Sequence, residues 1–271
     1  MNTSKVVLNN LAVEDYMHPD EKFFASKNPA EIKIIRNAFN LINDVAVKFL
    51  RQVTEGKWIE ISRQTAPEVL NTLETACSIL NYPDLPKIFV RRERDMKIVV
   101  GGTEYSQMLV PDYILNEFDS DMQLFVFGNA ISMFKAGHVQ LSTICSVLCA
   151  GVVPVPVILA LQAYLRAVDL SSDRGGLLCC QNFSAAARCM LAEIGFPLSG
   201  LRFLNDDEIL QLVEDYLKQA EAGSFDIMTE NAKLFNRVTG DFSPVPFRLR
   251  QLLNWYRNGY EQVLNLQGGK A

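Results

Sequence analysis

The feature that most restricts the fold of this chain is a long uncharged stretch. Residues 136–165 contain no Lys, Arg, Asp or Glu, and a run of that length is sufficient to cross a bilayer. Pro154 and Pro156 divide it into two pieces that are each too short to span a membrane as a helix. No basic flank sets an orientation either. We therefore expect two buried helices here, with membrane contact through 141–161 as the less favoured alternative.

The composition of the chain is that of a globular protein. Its 271 residues are 49% hydrophobic and 21% charged, which is enough for a sizeable core. The net charge of −5 gives no basic surface for nucleic acid. The start of the chain has no apolar run of signal-peptide length, and the six cysteines lack paired spacing. These features predict a cytoplasmic protein with reduced thiols, or alternatively one peripheral to the inner face of the membrane.

The hydrophobic spacing predicts a mainly α, α+β fold with a small β-sheet. We expect a helical region over 1–82 that packs with a second region, 83–271, as one globular unit. Short β-rich runs at 87–90, 97–100 and 107–110 predict three strands. Helices are predicted from about residue 66, after Asp119, and over 161–178, 209–220 and 246–264.

Residues 125–139, FVFGNAISMFKAGHV, are predicted to be helical and have the spacing of a zinc-protease helix without its functional groups. In a His-Glu-x-x-His helix, two imidazoles four residues apart bind one metal, and the Glu between them is the general base. The matching positions here are Asn129, Ala130 and Met133. Asn and Met are poor ligands for Zn²⁺, and Ala accepts no proton. We therefore expect neither zinc nor any other cofactor, and no catalytic residue at these positions.

A second block of sequence, LRAVDLSSDRGGLL at 165–178, extends the comparison. With residues 128–139 it resembles the HtpX/CAAX prenyl protease family of zinc metallopeptidases, in which G-H-E-L-G-H-I-x-x-G-H-V is followed by A-E-L-S-A-D-R-A-G-L-L. Residues 16–21 resemble the E-H-P-W-D segment of soluble bacterial members, and 244–264 resemble their C-terminal helix. The resemblance implies a metallopeptidase-like (gluzincin) helical domain with a small β-sheet.

The resemblance also implies where the former active site lies. The two metal-binding His positions fall on Asn129 and Met133, the general-base Glu on Ala130, and the third ligand, normally Glu, on Asp169. Asp173 keeps the Asp that supports a metal ligand in the family, whereas the later His-Pro is replaced by Ser243-Pro244. The implied former active-site cleft holds no metal and consists of Asn129, Ala130, Met133, Asp169 and Asp173.

Other polar residues near these motifs have alternative interpretations. His138 could contact a ligand or replace a metal ligand, but it lies five residues after Met133, off the metal-facing side of a helix. Asp169 and Asp173 could bind a hard cation, although ion pairs with Arg166 and Arg174 are favoured. Arg174 is a further candidate ligand contact. Cys145 and Cys149 share a helical face, but without a second pair they are interpreted as small buried residues.

Three functional hypotheses follow from the sequence. The first is a pseudoenzyme, a metallopeptidase-like protein that has lost hydrolysis and acts by binding a protein, peptide or ligand. The second is an enzyme whose old pocket now acts on a small molecule, with Asp169 and Asp173 as the titratable groups. The third is a membrane-associated assembly protein that uses the apolar segment 141–161.

Overall fold

The expected fold class, mainly α with a small β-sheet, is confirmed. A computed structural model describes residues 5–27, 56–92, 98–101, 106–139, 155–222 and 243–268. The helices are α1 Val13–Tyr16, α2 Pro19–Lys27, α3 Pro67–Ile79, α4 Asp112–Glu117, α5 Ser120–Lys135, α6 Val155–Cys180, α7 Phe183–Glu193, α8 Leu198–Leu201, α9 Asp206–Ala222, α10 Val245–Trp255 and α11 Glu261–Gly268, and a π-helical turn, Tyr256–Tyr260, joins the last two. The strands are β1 Ile59–Glu60, β2 Lys87–Arg91, β3 Val99–Gly101 and β4 Gln107–Pro111.

The four strands form one mixed sheet in the order β1-β2-β4-β3. Strand β2 runs parallel to β4, with Ile88 opposite Met108, while β1 and β3 pair antiparallel at the two edges. Ile88 and Met108 are both buried in the core. The three strands predicted from the sequence are present, but β1 falls in the 1–82 region that was predicted to be helical. With only two residues, it is too short to give a recognisable pattern.

One hydrophobic core includes residues from both of the regions expected from the sequence. Leu8, Leu73 and Ile79 belong to the same buried cluster as Phe127 and Leu249. Helix α3 packs against α5, so the first region contributes directly to the environment of the zinc-protease-like segment.

Helices α5 and α6 make the most extensive helix contact in the described part of the chain, and they carry the candidate site. Helix α5 begins after Asp119, whose carboxylate caps the helix by accepting a hydrogen bond from the Met122 amide. Glycines on both helices allow the backbones to approach closely: a Cβ on Gly128 would lie 2.2 Å from Cys179 Cβ, and one on Gly176 would lie 2.7 Å from the Phe125 carbonyl oxygen. The packing therefore depends on the absence of side chains at these positions.

Two helix boundaries differ from the sequence-based expectation. Helix α5 ends at Lys135 instead of continuing to residue 139, because Gly137 has a φ of 71° and turns the chain. The helix predicted over 246–264 is present, but the π-helical turn interrupts it at Tyr256–Tyr260. Since the chain turns before His138, the direction of that side chain does not follow from helical spacing within α5.

The uncharged stretch is only partly described. Residues 140–154 lie outside the described residues, so the expectations for most of 141–161 and for Cys145 and Cys149 are not tested. Helix α6 contains the second half of the stretch, and its predicted helical character over 161–178 is confirmed. Among the residues that the structure describes, no helix combines the length and hydrophobicity that a bilayer crossing requires.

Candidate functional site

Asn129 and Asp173, two residues of the expected former site, are in direct contact. The Asn129 amide nitrogen on α5 donates a hydrogen bond of 2.9 Å to Asp173 Oδ1 on α6. Asp173 is 1% exposed, so its carboxylate needs hydrogen-bond donors from the protein. Asn129 takes the first His position in the resemblance, and Asp173 takes the position that supports a metal ligand. The two side chains are therefore hydrogen-bonded to each other.

The principal partner of Asp173 is Arg248 on α10. The guanidinium donates from Nε to Asp173 Oδ2 at 2.9 Å and from Nη2 to Oδ1 at 2.8 Å, a bidentate arrangement. Its Nη1 donates to both carboxylate oxygens of Glu193 on α7, at 2.9 and 3.1 Å. This contact corrects the expectation that Asp173 pairs with Arg166 or Arg174 on its own helix. A bidentate partner was available from another helix, and only tertiary packing could provide it.

The carboxylates around Arg248 offset the unfavourable effect of burying its positive charge. Burial alone would lower the pKa of this guanidinium, but the carboxylates of Asp173 and Glu193 raise it well above its usual value. Asp169, one helical turn before Asp173 and half-buried, adds to the same effect. Arg248 is thus the permanent cation of this site.

The residues at the site do not fit zinc. Ala130 is buried and offers no ligand atom, and Met133 is half-buried and packs against the hydrophobic core. The Asn129 amide nitrogen faces Asp173 as a hydrogen-bond donor, which is the wrong polarity for metal ligation. Within the described residues, no group of three or more His, Cys, Asp or Glu side chains is arranged to hold a metal ion.

His138 lies in a different polar cluster from the former site. Its Nε2 is 2.6 Å from Glu21 Oε1 on α2, and the other oxygen of that carboxylate accepts a hydrogen bond from Ser171 on α6. His138 and Glu21 are 3% and 1% exposed. His138 was expected as a possible contact of an external ligand, but it is instead buried against Glu21.

Arg174 also has a structural partner that its sequence position did not indicate. Its guanidinium lies 5.1 Å from the centre of the Trp255 ring, and Nη1 donates to the Met17 carbonyl oxygen at 3.4 Å. Burial lowers its pKa to about 10, with Asp20 acting in the opposite direction. Arg174 therefore connects Met17, between α1 and α2, to Trp255 at the end of α10.

Three residues of these clusters were not identified as site residues from the sequence. Arg248 and Glu21 lie in segments that carry the family resemblance, but neither received a role, and Glu193 lies outside every motif. The one available signal was Arg248, a charged residue within the apolar periodicity of the C-terminal helix.

The described cysteines are not candidate nucleophiles. Cys77, Cys179, Cys180 and Cys189 are buried free thiols. Burial raises the pKa of Cys77 and Cys180 to about 12, and it raises the pKa of Cys179 and Cys189 well above the usual value. A thiol with a raised pKa forms little of the reactive thiolate at neutral pH.

Comparison with known proteins adds no relative to this description. The sequence matches no protein-family model, and searches of the curated proteins and of the solved structures give no match. Functional inference therefore depends on the site geometry and on the sequence resemblance stated above.

Proposed function

We propose that this chain is a metallopeptidase-like protein that does not hydrolyse peptides and acts by binding a protein or peptide segment. The observation that carries the proposal is the contact of Asn129 with Asp173, which Arg248 completes. The two carboxylate oxygens of Asp173 accept all three of these hydrogen bonds. The general-base position carries Ala130, which has no group that can accept a proton from water.

The same contacts favour binding over a repurposed acid–base pocket. Both carboxylate oxygens of Asp173 accept hydrogen bonds from Asn129 or Arg248, whereas a general acid or base needs an oxygen that can reach the reacting group. Asp173 is therefore a poor candidate for such a role.

The edge of the β-sheet provides a surface for an extended peptide. In the described residues, β3 pairs with β4 on one side only, and Val99 is 43% exposed. An edge strand has backbone groups that can pair with an added strand, independently of any metal. A peptide bound by strand addition would fit a scaffold that has lost its catalytic groups.

Restoring the zinc-binding residues tests whether α5 has the proposed relation to a zinc-protease helix. We expect the variant N129H/A130E/M133H to bind about one zinc ion per chain, whereas the wild type binds none, as measured by elemental analysis after dialysis. A His at position 129 would place a ring N–H where the Asn129 amide now meets Asp173, which is how a carboxylate orients a ligand.

The matched control for zinc binding is N129H/M133A, which restores only one imidazole. This variant should retain no zinc, because one imidazole and a shortened carboxylate do not form a site. Failure of the folded triple variant to bind zinc would contradict the proposed relation. Stoichiometric zinc with chelator-sensitive peptide cleavage in the wild type would contradict the loss of hydrolysis.

Strand addition at β3 is tested with a peptide probe. We expect a fluorescein-labelled digest of carboxymethylated casein to bind, and Val99→Pro to weaken binding about tenfold, since proline cannot donate a strand hydrogen bond. Fluorescence anisotropy measures the affinity. Val99→Thr keeps the backbone amide and the β-branched shape, so it should bind like the wild type. Equal affinity for the proline variant and the wild type would exclude β3 as the binding edge.

A further inference from the structure

Both histidines of the chain converge on one short segment at the start of α2. The sequence contains two histidines, and they are 5% and 3% exposed in the structure. His18 precedes the first residue of α2, and His138 contacts Glu21 in its first turn. We call residues 17–21 the N-terminal segment. Nothing in the proposed binding function requires two buried histidines at this place.

His18 caps α2 in its neutral form. Its Nδ1 accepts a hydrogen bond of 3.2 Å from the Asp20 backbone amide, while its Nε2 lies 3.5 Å from Gln251 Oε1 on α10. A protonated imidazole has an N–H at both nitrogens and accepts at neither. Protonation would therefore place two donors, the ring N–H and the Asp20 amide, against each other and remove the cap.

Glu21 anchors the other end of the N-terminal segment through hydrogen bonds. Its carboxylate is bound by Ser171 and by His138 Nε2, and Ser171 Oγ also accepts from the His18 backbone amide at 2.8 Å. His138 Nδ1 is buried and has no hydrogen-bond partner in the described structure. The contact between His138 Nε2 and Glu21 therefore anchors the first turn of α2.

Among the described residues, the groups that face the two histidines lie on α2, α6 and α10 and in the residues just before α2. His18 faces Arg174 on α6, Gln251 on α10, and Asp20 and Glu21 on α2. Burial and the charge of Arg174 lower the pKa of His18, against the opposing effects of Asp20, Gln251 and Glu21. Two further described groups lie close: Tyr16 is near Glu21, and the ring of Tyr164 on α6 meets the His138 ring edge-on with their centres 6.5 Å apart.

We propose that the N-terminal segment is a pH-sensitive switch, closed on α6 and α10 when His18 is neutral and released when His18 is protonated. Release breaks the contacts of the segment with Ser171, Arg174 and Gln251. It uncovers the face of α6 that these contacts now occupy. The switch therefore acts on α6, the helix that also carries Asp169 and Asp173.

The direction of the pH effect follows from linkage. The pKa of His18 is lower in the closed state than in the released state, where it approaches the ordinary value of about 6.5. The closed state is therefore fully favoured above that value and loses stability as the pH falls through it. At pH 5.5, one unit below, protonation of the released state shifts the equilibrium towards release by at most about tenfold.

Amide hydrogen exchange of the full chain tests the proposal. After correction for intrinsic rates, protection of the peptide that contains α1 and α2 should fall between pH 7.5 and 5.5, by at most about tenfold. Helix α7, Phe183–Glu193, is the internal reference because its apolar face is buried, and its protection should stay constant. The variant H18N/H138Q contains no histidine but keeps a capping oxygen and an amide donor, so it should remain closed at both pH values.

Three results would overturn the switch. These are constant protection of α2 in the wild type, an equal loss in H18N/H138Q, and loss of α7 protection in step with α2, which would indicate global unfolding. If the double variant does not fold, His18→Asn alone serves as the test. That variant should lose less protection on acidification than the wild type, and an equal loss would count against the proposal.

Discussion

Gly176→Ala is expected to destabilise the protein by about 3 kcal/mol, although it adds a single methyl group. The new Cβ would lie 2.7 Å from the Phe125 carbonyl oxygen and 3.0 Å from two ring carbons of the same residue. The oxygen belongs to the backbone of α5 and cannot rotate away. Helices α5 and α6 must therefore separate, which disrupts the most extensive helix contact described in the chain.

The matched control for Gly176 is the same substitution at Gly200. No atom lies within 4 Å of a Cβ at that position, so Gly200→Ala should be neutral or slightly stabilising. Urea unfolding followed by circular dichroism gives both free energies. A cost below about 1 kcal/mol at Gly176 would mean that the helices are not as closely packed as described.

A second pair of substitutions tests whether the loss of stability comes from the close approach of α5 and α6 or from the loss of glycine itself. Gly128→Ala brings its Cβ to 2.2 Å from Cys179 Cβ, and this clash lies between two side chains. Replacing Cys179 with Gly removes the opposing Cβ, so G128A/C179G should recover part of the stability that Gly128→Ala loses. No recovery would indicate that the cost arises elsewhere.

The sequence predicted elements whose signals are local. The strands at 87–90 and 107–110 have continuous β-rich patterns, and α5 begins at the capping residue Asp119 as expected. Strand β1 was not predicted because two residues, one of them Glu60, form no periodicity. The end of α5 was predicted too late, since the turn at Gly137 follows residues that continue the helical pattern.

The sequence indicated two residues that lie together but not the contacts around them. The family resemblance implied that Asn129 and Asp173 belong to one site, and the structure brings their side chains to 2.9 Å. The partner of Asp173 is 75 positions away in the chain, at Arg248, and no local pattern could identify it. His138 was located relative to a helix that ends before it, so its contact with Glu21 was not foreseen.

Arg248→Met is expected to cost about 3 to 5 kcal/mol, because it removes the cation from the buried carboxylate of Asp173 and from the half-buried carboxylate of Glu193. Asp173 is 1% exposed, and Glu193 would lose both of its hydrogen bonds from Nη1. Methionine keeps much of the volume and the apolar contacts of the arginine stem, so the loss of stability reports mainly on the charge. Urea unfolding at neutral pH provides the measurement.

A double-mutant cycle identifies which carboxylate is responsible. If Asp173 is the main partner, D173N/R248M should be more stable than the sum of the two single changes predicts, by at least about 1 kcal/mol. Arg257→Met is the matched control, since the side chains of its pair with Glu214 are 47% and 33% exposed and the pair should contribute less than about 1 kcal/mol. Additive effects of the Asp173 and Arg248 substitutions would contradict the bidentate pair. They would also remove the main reason for assigning Asp173 a structural role instead of a catalytic one.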